Sequence, residues 1–342
     1  MDTHARKHWV RGVIIASCIL VGLGALLVVL RVTRTVAPPY TGAVERVSTG
    51  LIGEYASLIL IAEDQGYFKK HGLEVAITEY ASGPEALAAV WAGTIDTAMA
   101  SDFAGVRDTL NGQDVKIHAT LSKSEAFFIV ANKDSGISTP ASLKGKKIGF
   151  TSKTVGEFFL GQFLTFNKLT MGDIKKTDLP PAALADALVS GQIDAAALFE
   201  PNAYRAQARL GDKAVRIPVQ SGQHIYSQLY STGRFARERP EAMKRYMRAV
   251  VEAEAFVRKN DSQARAIVAK RLKYDQAYID YIWPQFTFNV SLDQELLLNM
   301  DDEARWAMER GLTTAQKTPN FLRNVDFTGL DAAKPEGITI IR

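Results

Sequence analysis

From Arg46 onward the chain alternates helix-like and strand-like spacing, most compactly in the stretch Ser82 to Phe103, SGPEALAAVWAGTIDTAMASDF. Ser82 with Glu85 forms a capping box and Pro84 falls in the first turn, which predicts a helix start. Ala86, Leu87, Val90 and Trp91 then recur at helical spacing, and Gly93 stops the helix. Ile95 to Ala100 reads as a short buried strand ended by the polar pair Ser101-Asp102, where a second helix begins. The same order returns at Leu184 to Glu200, with Gly191-x-Ile193-Asp194 matching Gly93-x-Ile95-Asp96. Asp102 and Glu200 then fall in register, each just before an expected helix. Two α/β lobes built on this unit set two strand ends across a cleft, and in open α/β sheets ligands bind at those ends. Taken alone, Gly-x-Ile-Asp also serves simply as a helix-to-strand turn.

The remaining elements fit the same scheme. Arg46 to Leu51 predicts the first strand, Ala56 to Gln65 a helix, Tyr67 to Leu73 a turn and Glu74 to Tyr80 a strand. A helix follows over Asp102 to Asn111, and Lys116 to Leu121 and Ala126 to Ala131 are strands leading to the second lobe. Ser138 to Gly149 is a turn and a strand, and Thr154 with Glu157 caps an apolar helix over Val155 to Leu169. Lys175 to Leu179 is a strand, Pro180-Pro181 opens the repeated helix, and Pro201 suits the first turn of the next one. Ala214 to Val219 and Ile225 to Tyr230 are strands that return to the first lobe. Beyond Pro240 the chain is mostly helical, with Met243, Tyr246, Met247, Val250, Ala253 and Val257 in one core-facing stripe. Ser291 with Gln294 is expected to cap a later helix.

This divides the chain into a tail over 1–11, an apolar run over 12–30 and a linker over 31–45. Lobe I then covers 46–125, lobe II 126–225, and a return to lobe I with C-terminal helices 226–342. The uncharged run Gly12 to Leu30 is long enough to cross the roughly 30 Å hydrocarbon core of a bilayer as a helix. It lies between Arg6, Lys7 and Arg11 on one side and Arg31 and Arg34 on the other. The favoured reading is a single-pass anchor with the short N-terminus in the cytoplasm. Ile15-Ala16-Ser17-Cys18 also resembles a lipobox, which makes a lipoprotein at Cys18 the alternative, and a cleaved signal near Ala37 is the third reading. All three deliver the remainder to the periplasmic or extracellular face of the cytoplasmic membrane.

Charge removes several function classes. The net +4 comes from the first 40 residues, where five basic residues face Asp2; the other 36 basic and 36 acidic residues cancel. A neutral body without a basic stripe excludes nucleic acid as a partner. Cys18 is the only cysteine, so neither an internal disulfide nor a cysteine-built metal site exists. His4 and His8 lie in the tail, His71, His118 and His224 are scattered, and no metal or cofactor is expected.

The run Ala62-Glu-Asp-Gln-Gly66-Tyr-Phe68-Lys-Lys-His-Gly72-Leu73-Glu-Val75 resembles the A-x-x-x-G-y-F-x-x-x-G-L-x-V signature of substrate-binding proteins of ABC importers. Ser82-Gly83-Pro84, Gly93-x-Ile95-Asp96, Leu143 to Gly149 and Gly191-x-Ile193-Asp194 with Glu200-Pro201 follow in the matching order, so the resemblance runs from about Val44 to the C-terminus. The branch is that of nitrate, alkylsulfonate, taurine and thiamine-pyrimidine binders. It implies the type 2 periplasmic-binding fold: two α/β lobes, two crossing hinge strands, and closure around a ligand in the cleft. It also implies permease and ATPase subunits as partners, a monomeric binding protein, and no enzymatic role. Relatives that make a thiamine pyrimidine carry a cysteine-rich motif and a desulfinase relative uses a catalytic cysteine; this sequence has neither.

Cleft candidates are the residues at strand ends and helix starts. These are Glu54, Tyr55, Ser82, Gly83, Ser101 and Asp102 in lobe I, and Thr154, Val155, Gly156 and Glu200 in lobe II. Backbone N–H groups at Gly83 and Gly156 suit an anionic or carbonyl oxygen. Ser82 and Thr154 serve equally as caps, and Tyr55 stacks on a flat ligand or simply packs. Glu54, Asp102 and Glu200 are expected to converge with no nearby cation except Lys153. That arrangement calls for a solute with a cationic or hydrogen-bond-donating nitrogen rather than a bare oxyanion. The alternative is that an acid caps its helix or meets a distant arginine such as Arg205. The function expected is capture of a small organic nitrogen- or sulfur-containing solute for import. The alternatives are an enzyme on the same fold acting on a small heterocycle, and a ligand sensor for a signalling partner.

Overall fold

The computed structural model describes residues 40–220 and 222–342. The run 12–30, and with it the anchor, lipoprotein and signal readings, lies outside them. Among the described residues no helix is long and apolar enough to cross a membrane.

Among the described residues eleven strands form two sheets. The first contains β1 (Glu45–Leu51), β2 (Leu73–Glu79), β3 (Thr97–Ser101), β4 (Val115–Ser124), β10 (Ile225–Thr232) and β11 (Phe286–Ser291), in the order β11-β4-β10-β3-β1-β2. The second contains β5 (Phe127–Asn132), β6 (Lys147–Phe150), β7 (Lys175–Asp178), β8 (Ala195–Phe199) and β9 (Ala214–Pro218), in the order β7-β6-β8-β5-β9. Each sheet has a parallel trio, β2-β1-β3 and β7-β6-β8, flanked by antiparallel β10 and β5 respectively. The result is a two-lobed α/β architecture.

The repeated Gly-x-Ile-Asp explains why the trios match. Gly93 and Gly191 take left-handed φ values of 73° and 77°, which ends each helix at little steric cost. Asp96 Oδ2 then accepts from Ser48 N at 2.7 Å, and Asp194 Oδ2 accepts from Lys147 N at 2.8 Å, fixing the neighbouring strand. Ile95 and Ile193 lie over the glycines of that strand: a Cβ on Gly50 or Gly149 would come within 2.9 Å or 2.5 Å of the isoleucine Cδ1. The motif is therefore a device for strand register, repeated once per lobe.

The chain passes between lobes twice, through Glu125-Ala126 and again between Pro218 and Ile225. Gln220 ties the passages together. Its Oε1 accepts from Phe127 N at 3.0 Å, and its Nε2 donates to Ser124 O at 3.2 Å and to Gln223 O at 2.9 Å. Away from these passages the lobes meet through aromatic packing. Phe103 stacks on Phe158 at 5.6 Å, and Trp306 meets Phe158 edge-on at 5.3 Å. Arg107 Nη1 also donates to Lys153 O at 2.7 Å across the same seam.

All six residues of the stripe from Met243 to Val257 are buried in the helix Pro240–Lys259. Three local expectations change. Tyr67–Lys70 is a short helix rather than a turn, entered from left-handed Gly66. The cap of the helix Gln294–Glu309 is Asp293, which accepts from Leu296 N, and Ser291 instead ends β11. The helix expected to reach Leu169 stops at Phe166, where Asn167 Nδ2 takes the carbonyl of Phe163.

Candidate functional site

The carboxyl ends of the two parallel trios open onto one cavity of about 330 Å³. Lobe I supplies the turn after β1 (Ile52 to Tyr55), the segment after β2 (Tyr80 to Pro84), the end of β3 (Met99 to Ser101), and Ile225 and Ser227 of β10. Lobe II supplies Thr154 and Val155 after β6, Pro181 and Ala182 after β7, and Phe199 to Asn202 after β8. Glu79, Arg205 and Tyr274 complete the lining.

Eight of the ten expected residues line this cleft: Glu54, Tyr55, Ser82, Gly83, Ser101, Thr154, Val155 and Glu200. Gly156 and Asp102 do not. Gly156 lies one position too deep; its N–H donates to Thr154 Oγ1 at 3.2 Å, and a Cβ there would come within 2.8 Å of Phe127 and 2.9 Å of Phe199. It allows a helix start to pack on two rings and has no N–H left for a ligand. Gly83 and Val155 line the cleft at the first turns of helices from opposite lobes.

Asp102 is fully buried inside lobe I. Its Oδ1 accepts from Phe103 N at 3.1 Å and its Oδ2 from Asn299 Nδ2 at 2.7 Å. Burial, opposed by these donors, pushes its carboxyl up to about 7. Glu303 lies beside it; burial first, then the charge of Asp102 and a hydrogen bond between the two carboxyls, push it well upward. The sequence places Asp102 in register with Glu200, but the following helix turns its side chain away from the strand end and under the helix Gln294–Glu309.

Glu200 is not the unpaired acid that the sequence suggests. Its Oε1 accepts from Arg216 Nη2 at 3.1 Å and from Tyr281 Oη at 3.2 Å, while Oε2 accepts from Tyr204 N at 2.8 Å. The arginine involved is therefore Arg216 on β9, whose guanidinium stacks 3.5 Å from the Phe128 ring centroid, and Lys153 does not line the cleft. Burial still raises the carboxyl of Glu200 from its ordinary value, against the Tyr204 N–H and Arg216.

Glu54 differs. It is 1% exposed, and its Oε1 accepts from Tyr278 Oη while Oε2 has no partner. Burial raises its carboxyl, the hydrogen bonds from Tyr278 and, more weakly, Tyr274 oppose that, and the charge of Glu200 adds a smaller upward push. The ring of neighbouring Tyr55 packs edge-on against Phe286 at 5.3 Å, and its Oη is also buried without a partner. Ser82 and Thr154 do act as caps, accepting from Glu85 N at 3.4 Å and from Gly156 N, and both still line the cleft. Ser101 likewise caps Ala104.

Sequence reasoning missed the aromatic wall that joins these acids. Tyr278 and Tyr281 lie three residues apart on the helix Gln276–Ile282, and Tyr274, in the loop just ahead of it, meets the Tyr278 ring edge-on at 5.1 Å. Tyr204 of lobe II meets both Tyr278 and Tyr281 at ring distances of 5.2 Å. The helical spacing of the tyrosines is visible in the sequence; that this helix lies against lobe II is not. As a set, the cleft offers helix starts from both lobes for an oxygen, buried acids held by tyrosines, and aromatic surface around them.

Comparisons with known proteins place this geometry. A family model described as NMT1/THI5 like matches residues 54–264. A putative binding protein of Brucella abortus (strain 2308) is 28% identical over 239 residues, covering 68% of this chain and 74% of that protein. A putative aliphatic sulfonates-binding protein of Escherichia coli (strain K12) is 30% identical over 207 residues, covering 58% of this chain and 62% of the other. Among solved structures, the alkanesulfonate-binding protein of Xanthomonas axonopodis pv. citri bound to MOPS matches with a TM-score of 0.72 at 19% identity. The match covers 84% of this chain and 100% of that one, and it shows a shared fold.

Proposed function

This chain belongs to the NMT1/THI5-like family, and on that premise we propose that it is the solute-binding component of an ABC importer outside the cytoplasmic membrane. It captures a small organic nitrogen- or sulfur-containing solute between its lobes, closes about the two hinge passages, and hands the solute to permease and ATPase subunits. The observation that carries this reading is a cleft facing the carboxyl ends of β1, β2 and β3 on one side and β6, β7 and β8 on the other. Glu54, Tyr55, Ser82, Gly83, Ser101, Thr154, Val155 and Glu200 supply the contacts. The apolar run 12–30 tethers the protein as a single-pass anchor, which keeps it concentrated near its permease.

Sulfonates are the first probes, because a relative and a fold neighbour are named for binding them. Titration calorimetry against alkylsulfonates, aminosulfonates and small amines, combined with X-ray scattering, tests the reading. Saturable binding at one site with a smaller radius of gyration is expected. Failure of every solute to bind or to change the scattering would sink it.

A further inference from the structure

The residues that line the cleft divide into a buried floor and an exposed rim. Met99, Ala100, Val155 and Ile225 are each buried and give the floor an apolar surface from both lobes. Most polar side chains around it are engaged within the protein. Ser82, Ser101 and Thr154 cap helices, Glu54 is held by Tyr278, and Glu200 by Arg216, Tyr281 and the Tyr204 N–H. At the rim, Arg205 of lobe II and Glu79 of lobe I are both exposed. Arg205 is the only cation among the residues that line the cleft. Its guanidinium lies 6.0 Å from the ring centroid of Tyr274, whose hydroxyl interacts with the Glu54 carboxylate. That guanidinium makes no hydrogen bond or ion pair among the described residues, neither with Glu79 nor with Glu54 or Glu200. Seating on a ring face costs it none of its donors. The planar fork stays open, in the geometry that pairs with two oxygens of an acid group.

We propose that Arg205 is the specificity-determining residue of the cleft: it receives the acid group of an organic acid at the rim, while the apolar body of the solute fills the floor. The assignment rests on the solute-binding reading above and deepens it by orienting the solute. The acid stays at the wet edge, where desolvating its charge costs least, and the guanidinium meets it there. The body lies against Met99, Ala100, Val155 and Ile225, where each buried methylene adds to affinity. A neutral head forgoes the ion pair, and a cationic head meets Arg205 with like charge. Glu79, on the lobe I rim, repels any second acid group, which leaves a monoanion as the class taken. The cavity of about 330 Å³ limits the whole to a small molecule.

The test is calorimetry on the full chain in detergent with three probes: butanesulfonate, the neutral butanesulfonamide, and methanesulfonate, which has the acid without the body. Butanesulfonate is expected to bind at least about tenfold tighter than either of the others, and to lose more affinity in high salt than the sulfonamide does. Arg205→Gln should cut the ratio of butanesulfonate to butanesulfonamide affinity by about tenfold. Arg205→Lys should restore part of it, because it keeps the charge and loses the fork. Glu79→Gln should raise the ratio. Arg205 and Glu79 are exposed, so these variants are expected to keep the unfolding temperature of the parent. A sulfonamide or methanesulfonate that binds as tightly as butanesulfonate overturns the assignment. A ratio unchanged in Arg205→Gln also overturns it, and would put the acid at the helix starts instead. So does an equal loss for acid and sulfonamide in both Arg205→Gln and Glu79→Gln, which would make the two residues a latch that closes on itself. Any of these results, with saturable binding and contraction in scattering, leaves importer binding standing while this selectivity falls. If none of the three probes binds, the selectivity falls, and the importer reading falls with it only if the wider panel also fails.

Discussion

Tyr281, on the helix Gln276–Ile282 just ahead of lobe I strand β11, donates its hydroxyl at 3.2 Å to Glu200 at the cleft edge of lobe II. Three residues earlier on the same helix Tyr278 donates to Glu54 of lobe I. One turn of helix thus holds an acid from each wall of the cleft, and the ring of Tyr204 packs against both tyrosines. Tyr281→Phe keeps the ring packing and removes the donor. Because Glu200 retains Arg216 and the Tyr204 N–H, stability should change by no more than about 1 kcal/mol. Affinity for whichever panel solute binds should fall roughly three- to tenfold, mostly through faster release. Stopped-flow kinetics beside thermal unfolding checks this, and an unchanged off-rate would remove Tyr281 from closure.

Gly161 makes room for Trp306. A Cβ there would come within 2.5 Å of the indole Cζ2, where the helix Val155–Phe166 of lobe II meets lobe I. Glycine costs a helix interior about 1 kcal/mol relative to alanine, so helix propensity alone favours Gly161→Ala. Overpacking typically costs about 1–3 kcal/mol and should win here. The variant is expected to unfold at lower denaturant concentration; stabilisation would mean that the seam yields easily.

Asp102 and Glu303 make stability depend on pH. Below the ordinary aspartate value of 3.8, folded and unfolded chains both hold the Asp102 proton. As pH rises toward about 7 the unfolded chain gives it up first, so stability present at low pH is progressively lost. Glu303, raised in the same direction, adds to the loss. Glu303→Gln removes one acid of the pair and should raise stability at pH 7 by on the order of 1–2 kcal/mol, with a smaller gain at pH 4. Urea midpoints at the two pH values measure this, and an equal shift at both would show that the pair does not govern the slope.

Gln220→Ala removes the amide that accepts from Phe127 N and donates to Ser124 O and Gln223 O. A buried N–H left without an acceptor should cost about 1–3 kcal/mol. Hydrogen exchange is expected to accelerate at Phe127 more than at core strand residues such as Met99. Uniform acceleration across both lobes would instead indicate global destabilisation without a local hinge role.

Much of the fold was legible because local rules and tertiary needs agree. The Gly93 and Gly191 turns, the Ser82 and Thr154 caps, and the stripe on Pro240–Lys259 are all set within a few residues of themselves. The cleft walls followed from strand order, which is why eight of ten expected residues line it. Partners were not legible. Nothing near Glu200 in sequence announces Arg216 or Tyr281, since those contacts depend on the packing of β9 and of a helix some eighty residues further on. Asp102 misled for the opposite reason: register predicts its backbone position well and its rotamer not at all.

Because the polypeptide enters the second lobe at Glu125-Ala126 and leaves it just after Gln220, the two boundaries of that lobe lie side by side. The second lobe is in that sense a loop insertion in the first, secured at its neck by one glutamine. A graft that exchanged it for the equivalent segment of a relative would need to match only this neck and the aromatic seam. Half of the binding surface can thus be replaced as a unit while the other half, with Glu54 and Tyr55, stays in place.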